Sequence, residues 1–208
     1  MTDVWDADKA KQQASASGLH READMEMRYI YPHWYTPRQL TPFYLRKKML
    51  RAAEVKEIVT YALNQDPSRD VVEDGISAWS VDLMPADFPH LYEKFGEAFN
   101  EANEEWNFNL GGWVEPITCI RYEKNDFNNW HADYTDTDRT KIGFTTLLTN
   151  PGADFDGGEL EMLRHGDAPL KKAGDAVLFP GYQVHRVRKV TRGTRMSLAG
   201  WIGGPEFK

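Results

Sequence analysis

Residues 175–195 read DAVLFPGYQVHRVRKVTRGTR, and the way this stretch is divided decides how the chain folds. Ala176 to Phe179 is a short apolar run closed by Pro180-Gly181, a second run begins near Val184, and Thr191-Arg192-Gly193 makes another turn. Short runs bounded by Pro and Gly read as strands joined by tight turns, not as helix. The same texture continues outward from residue 106 in VEPITCIRYEK, KIGFTTLLTN, GGELEML and RMSLAGWI. Short strands at this spacing imply a sandwich or barrel.

The chain before residue 106 has a different period. In LTPFYLRKKMLRAAEVKEIVTYALNQDP, Thr41 can cap a helix with Pro42 at its first position, and Leu45, Met49, Ala52, Val55 and Val59 recur at helical spacing. That helix is expected to end before Asp66-Pro67. In FPHLYEKFGEAFNEANEEW, Leu91, Phe95, Ala98, Phe99 and Ala102 form one apolar stripe with acids opposite. The expected class is therefore α+β, mainly β, with helices covering one outer sheet face. Helical support is assigned to about 36–105 and the β core to about 106–208, within a single domain at 25–208. Residues 1–24, rich in Ala, Ser, Gln and Lys, are expected to be mobile or to fold only against something else.

Composition narrows the function classes. The 208 residues are 41% hydrophobic and 12% aromatic, enough for one substantial core. A net charge of -7 offers no pull toward nucleic acid or an anionic membrane, and no run is long and apolar enough to span a bilayer. The N-terminus has no apolar signal-peptide core, and the single cysteine, Cys119, sits in an alternating apolar run, so a reduced cytoplasmic setting is expected. No phosphate-binding glycine loop, zinc-finger spacing or internal repeat is present.

The chemistry is carried by NNWHADYTD, residues 128–136. On a strand, His131 and Asp133 point to the same side, so together they offer one imidazole and one carboxylate. His185, at the start of the strand after Gly181, supplies a second imidazole if an antiparallel pairing returns it to the first pair. Two histidines and one carboxylate leave three coordination positions open, which suits Fe(II) that must bind a cosubstrate and O₂, with zinc hydrolysis a less well matched alternative. The turn at Thr191 to Gly193 is expected to bring the next strand, with Arg195, beside the His185 strand, where a guanidinium could take a carboxylate bidentately.

The order HADY, DGGELEM, KKAGDAVLFPGYQVHRVRKVTRGTR and terminal SLAGWI resembles the prolyl-4-hydroxylase-like branch of the Fe(II)/2-oxoglutarate dioxygenases, with bacterial PKHD-type hydroxylases looking most similar. The resemblance covers roughly residues 117–202. It implies a double-stranded β-helix, a jelly-roll or cupin-like core flanked by N-terminal helices. It further implies His131, Asp133 and His185 as iron ligands and Arg195 as the partner of the distal carboxylate of 2-oxoglutarate. Tyr122 matches a tyrosine that helps bind 2-oxoglutarate, Ser197 shares the face of Arg195, and Trp201 resembles a tryptophan near the peptide site. Gly157 and Gly158 are read as a backbone turn, and Asn128, Asn129 and Trp130, unfamiliar in the family, as bearing on substrate choice.

The activity implied is hydroxylation of a C–H bond, most simply in a prolyl side chain of a protein or peptide. Fe(II), 2-oxoglutarate and O₂ would take part, with ascorbate as a reductant, and succinate and CO₂ would be coproducts. Hydroxylation of a free amino acid or small metabolite is one alternative. A non-catalytic β-helix domain that binds a ligand or partner is another.

Overall fold

The computed structural model describes residues 41–72, 75–135, 137 and 139–206. The segment 1–24 and the first residues of the expected helical support lie outside them. The described residues fall in the unit Leu40–Lys208. They contain two helices, α1 (Ala52–Leu63) and α2 (Pro89–Trp106), and thirteen strands. The strands are β1 (Tyr44–Arg46), β2 (Ser68–Val71), β3 (Ile76–Leu83), β4 (Ile117–Tyr122), β5 (Phe127–His131), β6 (Thr140–Leu147) and β7 (Phe155–Gly157). They continue as β8 (Leu160–Met162), β9 (Gly166–Asp167), β10 (Ala176–Pro180), β11 (His185–Val187), β12 (Val190–Gly193) and β13 (Arg195–Gly203).

The main sheet runs β1-β10-β6-β13-β4-β3-β5-β11-β8-β9, with β2 on the free side of β3, while β7 and β12 form a separate pair. The sheet curls until distant strands meet. Phe179 on β10 packs against the His185 ring on β11 with centroids 4.6 Å apart. Beside them the Tyr134 amide, just past β5, donates to the Gly181 carbonyl at 2.9 Å. This curled antiparallel sheet is the jelly roll expected from the resemblance.

The alternation within strands sorts residues onto two faces. On β10, Ala176 and Leu178 join the core beneath the helices, while Val177 and Phe179 join the core inside the curl. On β13, Met196 and Leu198 face the helices, and Arg195, Ser197, Ala199 and Trp201 line the interior. Strands buried on both faces lose the simple apolar–polar alternation, which explains near-continuous runs such as AVLF.

Helix α2 supplies the outer layer as its stripe requires. Leu91, Phe95, Ala98, Phe99 and Ala102 are fully buried, and Phe95 stacks on Phe144 of β6 at 3.9 Å between centroids. Each such phenylalanine contributes roughly 2–3 kcal/mol through apolar burial. Pro89 starts the helix where its missing N–H costs nothing, and Asn107 ends it in the left-handed region at φ 55°. Cys119 is a buried packing residue on β4, and burial pushes its thiol up to about 12.

Two expectations are corrected. The first helix does not begin at Thr41-Pro42: residues 44–46 form β1, paired with β10, and α1 starts at Ala52. Thr41 is committed elsewhere, its hydroxyl donating to Glu105 at 2.9 Å and its carbonyl accepting from the Trp106 indole at 2.9 Å. The helix does end at Leu63, before Asp66-Pro67. Second, the strand carrying Arg195 does not lie beside that of His185. The turn at Gly193 sends β12 to β7 and β13 between β4 and β6, so Arg195 stands opposite Tyr122. None of the helices among the described residues is long and apolar enough to cross a membrane.

Candidate metal centre

Strands β5 and β11 pair antiparallel with His131 directly opposite His185. Asp133 lies two residues beyond, where the chain leaves β5, and its Oδ1 stands 3.5 Å from His131 Nε2 and 3.7 Å from His185 Nε2. The three donor atoms lie within 4.8 Å of one another, the cluster among the described residues that could hold a metal ion. The separations are too long for good hydrogen bonds, so Asp133 faces both rings without being tied to either.

The two imidazoles are oriented from behind. His131 Nδ1 lies 2.7 Å from the Asn129 carbonyl, and His185 Nδ1 lies 2.9 Å from the Gln183 carbonyl. A carbonyl only accepts, so each Nδ1 carries a hydrogen, and Nε2 is the ring nitrogen that faces Asp133. Backbone partners of this kind fix ring orientation and tautomer in metal-binding histidines. Burial pushes the His185 pKa below its ordinary value, against the opposing pull of Asp133, and so favours the neutral imidazole. Asp133 Oδ2 is buried with no hydrogen-bond partner among the described residues. A buried carboxylate oxygen without a donor is costly to maintain, and a cation held between the three groups would remove that cost. Two imidazoles and one carboxylate suit Fe(II) with positions left open.

Gly143 makes the room. A Cβ built there would meet Asp133 Oδ2 at 2.6 Å, Trp201 Cδ1 at 3.1 Å and Phe179 Cε2 at 3.3 Å. Glycine in a central strand weakens it and marks such close approach.

The same pocket contains the other residues singled out in the sequence. It is lined by Tyr122, Arg195, Ser197 and Trp201 together with the metal triad. Arg195 is 1% exposed. Its Nη1 donates to Ser197 Oγ at 2.8 Å, while Nε and Nη2 have no partner among the described residues. The guanidinium carbon lies 5.2 Å from the centre of the Tyr122 ring. Burial pushes the Arg195 pKa down, against the opposing pull of Tyr122 and Glu159, yet an arginine keeps its proton, leaving a buried cation with no carboxylate hydrogen-bonded to it among the described residues. Burial also pushes the Tyr122 phenol up, and Asn128 hydrogen-bonds to it.

The turn at Gly157 and Gly158 adopts φ of 73° and 65°, as expected of glycines in a turn. Gly158 also lets the arginine stem pass, because a Cβ there would lie 2.9 Å from Arg195 Cδ. A cavity of about 410 Å³ beside this turn shares Arg195 and Leu160 with the metal pocket. Arg139, in the loop after Asp133, pairs with Glu206 at 2.7 Å.

Of the unfamiliar residues before His131, only Asn128 lines the pocket; Asn129 and Trp130 are exposed. Gly143, Thr145 and Phe179 are pocket residues that sequence reasoning did not single out. The lone glycine inside KIGFTTLL was the signal for one of them.

Residues 117–203 match the model of the 2OG-Fe(II) oxygenase superfamily. A PKHD-type hydroxylase of Psychrobacter sp. strain PRwf-1 is 42% identical over 74 residues, which is 35% of this chain and 28% of that protein. Across the first three curated relatives the match spans 28%, 42% and 45% of their length. Among solved structures, a Pseudomonas putida prolyl-4-hydroxylase aligns at TM-score 0.62 and 22% identity, over 79% of this chain and 94% of that one. A Trichoplax adhaerens prolyl hydroxylase, solved with a hypoxia inducible factor peptide fragment, aligns at TM-score 0.65 and 14% identity, over 78% and 83%. The strands that build the metal pocket, residues 117–203, are thus similar to the 2OG-Fe(II) oxygenase superfamily, and the curated relatives they match are PKHD-type hydroxylases.

Proposed function

We propose that this chain is an Fe(II)- and 2-oxoglutarate-dependent dioxygenase that hydroxylates a C–H bond in a protein or peptide, most simply at a prolyl side chain. The observation that carries the reading is the coexistence, in one pocket, of a metal triad and a buried guanidinium with two donor nitrogens unpaired. A structural metal site has no use for the second feature.

In this reading His131, His185 and Asp133 hold the iron. Bound there, iron supplies the activation of O₂ that couples decarboxylation of 2-oxoglutarate, giving succinate and CO₂, to transfer of one oxygen atom into the substrate C–H bond. Arg195 receives the far carboxylate of 2-oxoglutarate on the N–H groups it leaves unpaired. Ser197 holds the guanidinium by accepting from Nη1, and the Tyr122 ring supports it from one side while its hydroxyl faces the cosubstrate. With their Nδ1 hydrogens tied to backbone carbonyls, both histidines present Nε2 to the metal. Apolar walls at Phe179, Leu160 and Val187 exclude water from the reacting groups. Trp201 stands beside Gly143 and Asp133, where it can meet an incoming side chain.

The test is O₂-dependent succinate formation from 2-oxoglutarate against a panel of proline-containing peptides, with free proline as the small-molecule arm and mass mapping of the added oxygen. Turnover is expected with peptides, and Asp133→Ala is expected to abolish it with the circular dichroism spectrum unchanged. Succinate formation only with the free amino acid would reassign the substrate, and full activity in Asp133→Ala would remove that residue from the metal centre.

A further inference from the structure

The pairing of β5 with β11 is irregular at a place that bears on His131. His131 lies opposite His185, and Asn128 lies opposite Val187, with a register shift between them. Two residues, Asn129 and Trp130, therefore stand against the single Arg186, which makes a β-bulge. The side chains record it. Residues three apart on a regular strand face opposite sides, yet Asn128 and His131 both line the metal pocket. Asn129 and Trp130, consecutive in sequence, are both exposed.

The bulge is held by its own residues. The Asn129 side-chain oxygen accepts from the Trp130 amide at 2.8 Å, and the Asn129 amide donates to Gly75 at 2.7 Å. The Asn129 carbonyl is the group that takes the His131 Nδ1 hydrogen. On the outer surface the Arg186 guanidinium lies 4.5 Å from the centre of the Trp130 ring, and Glu161 fixes that guanidinium at 2.6 Å. The residue before one proposed ligand is thus clasped to the residue after another.

We infer that the Asn129–Trp130 bulge aims the His131 imidazole, and that Asn129 is a positioning residue for the metal centre. Its side chain holds the bulge and its carbonyl sets the ring. The inference rests on the metal reading of the triad. Bulges near functional sites re-aim side chains in this way, and disturbing the partner behind a ligating histidine weakens metal binding by about 10- to 100-fold.

The experiment titrates Co(II) into the full chain, following the visible absorption of the bound ion and the melting temperature of the metal-free protein. Asn129→Ala is expected to bind Co(II) about tenfold more weakly, with a changed spectrum, while metal-free melting stays where it was. Asn129→Asp, which keeps an acceptor oxygen for the Trp130 amide, is expected to restore both affinity and spectrum. Three outcomes would each overturn the inference: unchanged affinity in Asn129→Ala, no rescue by Asn129→Asp, or metal-free melting that falls in step with affinity. Failure of the parent protein to take up Co(II) would instead remove the metal reading itself, and the inference with it.

Discussion

Asp133 is the most constrained residue of the pocket. It stands between two imidazoles, with one oxygen lacking a donor and with Gly143 as the floor beneath it. Gly143 has no unusual backbone angle, so alanine is conformationally acceptable there and acts only through its extra carbon. Gly143→Ala should therefore leave the fold intact and lower Co(II) affinity by about tenfold or more, by pushing Asp133 aside; isothermal titration measures it. His131, Asp133, His185 and Arg195 could be proposed from residue type and order and, with Tyr122 and Ser197, from the family resemblance; all six line one pocket. Gly143 acts through its approach to Phe179 and Trp201, from strands far away in the chain, and no local spacing encodes that. The sequence also linked Asn129 and Trp130 to the substrate, whereas the bulge turns them away from the pocket.

At the level of elements, amphipathic stripes were the most legible feature, and the start of α1 the least. The Leu45 and Met49 spacing extends the helical pattern back toward Thr41, but residues 44–46 complete the edge of β10, and tertiary pairing overrides the local preference. Where α1 does begin, Glu54 anchors it by accepting from the Arg51 amide at 2.7 Å, pairing with the Arg51 side chain and receiving Lys94 from α2. Burial pushes the Glu54 pKa up, but these hydrogen bonds outweigh it and bring the group down from 4.5 to about 2. A depressed folded pKa gives stability that is complete above about pH 4.5 and disappears as the pH falls toward 2. Glu54→Gln should lower stability at pH 7 by about 2 kcal/mol and flatten the acid side of the profile. Thermal melts across that range check both. The destination of β13 was likewise illegible, since a turn sequence fixes a change of direction and not the strand that receives it.

For the whole molecule, the curl of one sheet brings together side chains from β4, β5, β11 and β13, so ligand binding and stability are linked. Co(II) and 2-oxoglutarate added in sequence should each raise the melting temperature. Arg195→Met should keep the increment from Co(II) and lose that from 2-oxoglutarate; loss of both increments would make Arg195 a structural residue. The arginine has a further consequence before any turnover. A buried cation with two open N–H groups beside a cavity is a trap for whatever small organic acid reaches it first. Protein isolated gently from a cell should carry such a passenger, and native mass spectrometry before and after exhaustive dialysis would weigh it.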